Sequence, residues 1–124
     1  MPLARPVTDG GVIEMPAGDF IQIANGEGVR FVAHLEFRAE PPAERGHHYH
    51  LVRTETFTVI RGRLRGRWLD LDTGARIEDV LEPGDQVTVR PRCAHAYVAL
   101  EDAAAVECAS HAFDPTDTVA HRVE

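Results

Sequence analysis

Short runs of β-type residues, each closed by a Gly-, Asp-, Asn- or Pro-bearing turn, follow one another along almost the whole chain. That pattern restricts the chain to an all-β sandwich or barrel. Phe20-Ile21-Gln22-Ile23 and Val29 to Phe37 are separated by the turn sequence Asn25-Gly26-Glu27-Gly28. In the second run the twofold period puts Phe31, Ala33, Leu35 and Phe37 on one face and Val32, His34, Glu36 and Arg38 on the other. Glu55 to Ile60 ends at Arg61-Gly62-Arg63. Arg63 to Leu71 and Ala75 to Leu81 flank Asp72-Thr73-Gly74, and Glu82-Pro83-Gly84-Asp85 precedes the strand Gln86 to Val89. Val98 to Leu100 and Ala104 to Ala109 flank Glu101-Asp102, one more hairpin. Helix is confined to about a turn.

At 124 residues the expectation is one domain, 1–124, with a barrel core over about 20–112. Residues 1–10 and 115–124 read as arms draped over the barrel or a second subunit. Glu40 to Gly46, with Pro41 and Pro42, reads as a loop leading into a histidine cluster. The net charge of −7 argues against nucleic acid or an anionic membrane as partner. All 13 basic residues are Arg, so no lysine is available for Schiff-base or pyridoxal chemistry, and no nucleotide or organic cofactor is expected. With neither a membrane-spanning run nor a signal-peptide core, the expected location is the cytoplasm. Cys93 and Cys108 lack CxxC spacing and read as free thiols.

The chemistry concentrates in His48-Tyr49-His50, Glu55 and His95. Three imidazoles and one carboxylate suit a single divalent transition metal: Fe, Mn, Ni, Zn or Cu. His48 and His50, two apart on a strand, project together while Tyr49 points away. Glu55 lies an odd number of residues beyond His50, so Leu51 to Thr54 must bend and reset the register before Glu55 can face the same metal. His95 follows a proline-bent corner and heads a strand that contains Tyr97.

These residues resemble the two signature motifs of the cupin superfamily, small double-stranded β-helix (jelly-roll) barrels. The first is matched by His48-Tyr49-His50, Glu55 and Gly62. The second is matched by Gly84, Pro91 and His95, with Arg90 in place of the usual proline, Arg92 in place of a glycine and Ala99 in place of the terminal Asn. Gly46-His47-His48-Tyr49-His50, Thr54-Glu55, Phe57, Val59-Ile60 and Gly62, with the closing Ala112 to Thr118, further resemble small cupins of nucleotide-sugar and capsular-polysaccharide biosynthesis. The resemblance implies a homodimer and a small-molecule substrate. It is compatible with isomerisation or epimerisation of a carbonyl-bearing sugar or keto acid, with an Fe(II)-dependent dioxygenase, and with a non-catalytic binding or sensor protein.

Around the ligand set, His34 is a candidate general base and Tyr97 a candidate proton donor. Phe57 and Val59, on the face of Glu55, are candidates for the apolar wall, and Arg61 and Arg38 for a substrate clamp. His47 has the opposite parity to His48 and reads as a rim residue. Arg63, Arg65 and Arg67 read as a solvated outer face, and Trp68 as core or dimer interface.

Overall fold

In a computed structural model, residues 12–13, 17–18, 20–24 and 28–124 are described. The strands are β1 (Val12–Ile13), β2 (Phe20–Ile21), β3 (Phe31–Phe37), β4 (Glu44–Tyr49), β5 (Glu55–Arg61), β6 (Leu64–Asp70), β7 (Arg76–Leu81), β8 (Gln86–Val89), β9 (Cys93–Ala99), β10 (Ala103–Ala109) and β11 (Val119–Ala120). A 3-10 turn at Pro115–Asp117 precedes β11. Two antiparallel sheets face each other, one in the order β3-β10-β5-β8 and the other β11-β4-β9-β6-β7, while β1 pairs with β2 apart from them. Among the described residues no helix is long and apolar enough to cross a membrane.

The alternating pattern drives both sheets inward. On β6, Leu64, Gly66, Trp68 and Asp70 are buried, while Arg65 and Arg67 lean outward to Glu78. Trp68 is core, 1% exposed, and lies so close over Gly66 that a Cβ there would strike the indole ring. Phe37, Phe57, Leu64 and Val87 complete the apolar layer between the sheets. Both cysteines are buried and free.

Two local expectations need correcting. Glu40 to Gly46 is not loop throughout: the chain turns at Ala39–Pro42, and β4 begins at Glu44 because its backbone pairs with Val98 of β9. The run at Phe20 gives strand only over Phe20–Ile21. Residues 115–124 lie over the barrel, where β11 adds a strand beside β4. Residues 1–10 and the turn residues Asn25, Gly26 and Glu27 lie outside the described residues. The corner before β9 holds Arg92 in the left-handed region, φ 64°, where the related motif has glycine. Its N–H donates to the His50 carbonyl (2.7 Å) and its Nε to Asp72 Oδ1 (2.7 Å), which offset the backbone cost of a non-glycine residue there.

Gly62 makes the tight β5–β6 turn at φ 74°, and a Cβ there would collide with the Asp102 carbonyl oxygen and approach the Ala103 Cα to 2.7 Å. Gly62→Ala is therefore expected to cost roughly 2–4 kcal/mol, from backbone overlap together with the left-handed conformation. A fall in the urea midpoint at constant m-value checks it.

Candidate metal centre

Three strands deliver the histidine–glutamate cluster. His48 comes from β4, His50 from the residue just after it, Glu55 from the first position of β5 and His95 from β9, where it pairs in register with His48. A bulge at Gly46–His48, with His47 at φ 56°, aims His48 and His50 inward and turns His47 away. Residues 51–54 make the expected bend between β4 and β5. The four ligand atoms lie within 4.8 Å of one another, and His50, Glu55 and His95 are at most 5% exposed.

The second nitrogen of two imidazoles is already committed. His50 Nδ1 lies 2.8 Å from the Asp117 carbonyl oxygen and His95 Nδ1 lies 3.0 Å from that of Cys93, so each Nδ1 donates, and in the neutral ring each Nε2 offers a lone pair. Both Nε2 atoms approach the same carboxylate oxygen, Glu55 Oε1, at 2.9 and 3.3 Å. Yet His50 Nε2 and Glu55 Oε1, both shut off from solvent, have no aligned hydrogen-bond partner among the described residues. Two bonds of about 2.1 Å meeting at right angles would place their donor atoms about 3.0 Å apart, so the spacing suits a shared divalent cation. The other Glu55 oxygen, Oε2, accepts from Arg53 Nη2 at 3.2 Å. Arg53 leaves Oε1 alone to face the histidines.

Comparisons with family models and with curated proteins gave no match. Solved structures did. The chain superposes on dTDP-4-dehydrorhamnose 3,5-epimerase from Sulfolobus tokodaii with a TM-score of 0.74 at 19% identity, covering 86% of this chain and 70% of that one. The fold is a cupin jelly roll. QdtA, a sugar 3,4-ketoisomerase from Thermoanaerobacterium thermosaccharolyticum solved with TDP, gives 0.72 at 17% identity over 87% of this chain and 81% of that one. The capsular polysaccharide assembling protein CapF from Staphylococcus aureus gives 0.66 at 22% identity, over 74% of this chain but 26% of that longer one.

The cavity beside the cluster has a volume of about 420 Å³. Phe57 and Tyr97 line it, stacked ring on ring at 4.0 Å and 3°, as the parity of Glu55 and His95 implies. Burial, foremost, pushes the Tyr97 phenol well above its ordinary value, so it stays protonated. The other candidates lie elsewhere. His34 is exposed on the outer face of β3, and the cavity takes its alternates Phe31 and Leu35 instead, so His34 is not a general base for this cavity. Arg38 and Arg61 are exposed where their strands end, outside the cavity lining, and no clamp forms from them. Val59 faces inward but sits in the closed core, away from the cavity wall. His47 is tied outside, to Glu44 Oε1 (3.1 Å) and to the Val123 N–H (3.1 Å).

Three residues that the sequence reading passed over enter the site. Arg53, 4% exposed, lies between Glu55 and Glu107 with its guanidinium 4.8 Å over the Phe31 ring. Glu107 lines the cavity from β10, paired in register with Phe57. It is the one carboxylate in Ala-Ala-Ala-Val-Glu-Cys-Ala, and a lone charge on the inward parity of such a strand was a usable signal. Asp117, which ties down the chain after His50, falls in the closing segment Ala112 to Thr118 that carries the resemblance, but no role for it is readable there.

Burial alone would raise the Glu55 carboxyl, but the imidazoles of His50 and His95 hold it well below the usual carboxylate range. Burial, then His95 and His50, lowers His48 to about 4. Burial pulls His50 down, yet Glu55 more than offsets it and the net shift is upward. Glu107 is pushed up to about 8 by burial and by Glu55 beside it.

These shifts set a pH dependence for the metal-free protein. Between pH 4 and 6.5 the unfolded chain binds the proton His48 lacks, so that residue makes stability rise with pH. Glu107 acts oppositely from 4.5 to 8, where the folded state holds a proton that the unfolded chain has lost. From pH 6.5 to 8, Glu107 and the raised His50 both make stability fall with pH. The melting temperature of metal-free protein should therefore decline from pH 6.5 to 8, and Glu107→Gln should flatten the decline. Calorimetry at several pH values with a chelator present checks both.

Proposed function

We propose that this chain is a metal-dependent enzyme that shifts a proton on a carbonyl-bearing, sugar-like substrate. The observation that carries the reading is the convergence of His50 Nε2 and His95 Nε2 on Glu55 Oε1 without an aligned hydrogen bond, with His48 alongside. His48, His50, Glu55 and His95 would hold the metal. When bound there, a divalent ion supplies Lewis acidity toward a substrate oxygen.

The chain's own groups supply the rest. Phe57 and Tyr97 form the flat wall against which a ring can lie, and the Tyr97 phenol stays protonated as a donor. Glu107, on the cavity wall beside Glu55, takes the proton-moving role in place of His34. Its neighbour Arg53 holds the two carboxylates together, at 3.2 and 3.8 Å. The epimerases and ketoisomerases among the structural neighbours make keto-sugar nucleotides the first substrates to try.

The test is solvent exchange. Protein loaded in turn with Mn, Fe, Ni and Zn is incubated in D2O with a dTDP-4-keto-6-deoxy sugar and, separately, with simple keto sugars and keto acids. Deuterium at the carbon next to the carbonyl, abolished by His48→Ala, is the expected result. No exchange with any substrate under any metal would overturn the reading, as would substrate-dependent oxygen uptake by the iron form, which would make the protein an oxygenase. CapF has been solved with 3-isopropenyl-tropolone as inhibitor. Tropolones carry adjacent oxygens that chelate metals, so tropolone should suppress exchange in a metal-dependent manner.

A further inference from the structure

The segment after β10 returns to the metal loop and grips it at one residue. Asp117 is 7% exposed, and its carboxylate accepts three consecutive backbone N–H groups: Leu51 (2.8 Å) and Val52 (3.0 Å) on Oδ1, and Arg53 (3.2 Å) on Oδ2. Its own carbonyl accepts from His50 Nδ1 at 2.8 Å. A closed ring results, running from the His50 imidazole through the 51–53 backbone, across the Asp117 side chain to the Asp117 main chain and back to the imidazole. The strap is itself anchored at both ends. On one side Asp114 caps the 3-10 turn, its carboxylate accepting from the Thr116 N–H at 2.9 Å, and on the other Val119 and Ala120 pair with Tyr49 and His48. Val123 then buries its side chain against Ala94 and Ala96 on either side of His95.

We infer that Asp117 is a positioning residue for the proposed metal site: it fixes the tautomer and aim of His50 and the path of the loop that carries Arg53 to Glu55. The inference rests on the metal-site reading above but concerns a residue that touches neither metal nor substrate. Without the carboxylate, the three N–H groups are left to water, and the Asp117 carbonyl no longer stands at a fixed point opposite Nδ1. The imidazole then samples the tautomer that protonates Nε2, which blocks the ligand nitrogen. Partners that orient a ligating histidine this way change metal affinity by about 10–100-fold when removed. Asn at this position retains an acceptor for Leu51 and Val52 but turns an amide N–H₂ toward the Arg53 N–H, so its effect should be smaller than that of Ala.

Two measurements on the full chain test this. Chelator competition with Ni(II) and Zn(II) should show wild type binding one equivalent, Asp117→Asn weaker, and Asp117→Ala weaker by tenfold or more. Nitrogen NMR of the metal-free proteins at alkaline pH, with His50 assigned through His50→Gln, should show an Nδ1–H tautomer in wild type and an admixture of Nε2–H in the variants. A general loss of stability would not move the tautomer. Asp117→Ala binding metal within twofold of wild type would overturn the inference, and so would an Nε2–H His50 in wild type, which needs no variant to fold. If wild type binds neither metal, it is the metal-site reading that fails, and the tautomer measurement still decides the role of Asp117.

Discussion

Glu55→Gln is expected to weaken binding of a divalent transition metal by at least about a hundredfold, because it removes the only anionic ligand and puts an amide where an acceptor is required. The amide keeps the shape of the side chain, so the variant isolates charge from packing. It also removes the carboxylate that Arg53 contacts at 3.2 Å in a site closed to water. Breaking a buried ion pair outright costs about 3–5 kcal/mol. Here Glu107 lies 3.8 Å from the same guanidinium and can ionise once Glu55 no longer holds it up, so the loss should fall below that range. The variant thus carries a signature beyond weak binding: the decline in melting temperature from pH 6.5 to 8 should shrink, since Glu107 has lost a main cause of its raised value. Competition against a chromogenic chelator and calorimetry at two pH values measure these effects.

Phe57→Ala should produce the largest loss of stability of any single change near the site, about 3–5 kcal/mol. The ring is 1% exposed, stacks on Tyr97 at 4.0 Å and meets Phe37 edge-on at 6.3 Å, so its removal leaves a hole that neither sheet can close. For a domain of this size that corresponds to a fall of roughly 10–25 °C in melting temperature. Tyr97 would lose the surface that holds its ring, and His95, whose ring lies 5.9 Å from it, would lose part of its packing. Phe57→Leu fills most of the hole and should cost less than half as much. Thermal melts of the metal-free proteins compare the two.

How much of this was legible in the sequence follows from how local each constraint is. The gathering of His48, His50, Glu55 and His95 at one place was readable because strand parity and spacing act over few residues, and the bend at 51–54 was demanded by the odd interval before Glu55. Tyr97 and Phe57 came with them, since each lies two residues from a member of the cluster and must share its face. His34 shows the limit: the period separated two faces of β3 correctly, but only the packing of that sheet decides that Phe31 and Leu35 look inward and His34 outward. Arg38 and Arg61 failed for a related reason, since at strand ends solvent, not parity, takes the side chain. Val59 obeyed its parity yet lies beyond the reach of the cavity. Arg92 departs from the related motif, and the corner nevertheless keeps its left-handed turn because Asp72 and the His50 carbonyl hold it. Asp117 depends on a contact across more than sixty residues, which no local pattern announces.

The proposed site holds one divalent transition metal between His48, His50, Glu55 and His95. The most direct measurement is elemental analysis of protein purified without added metal, followed by titration of the stripped protein with Mn, Fe(II), Ni and Zn. The expected result is close to one equivalent per chain, lost in His95→Ala with its fold intact by circular dichroism. Wild type that carries no metal and takes up none of the four would contradict it.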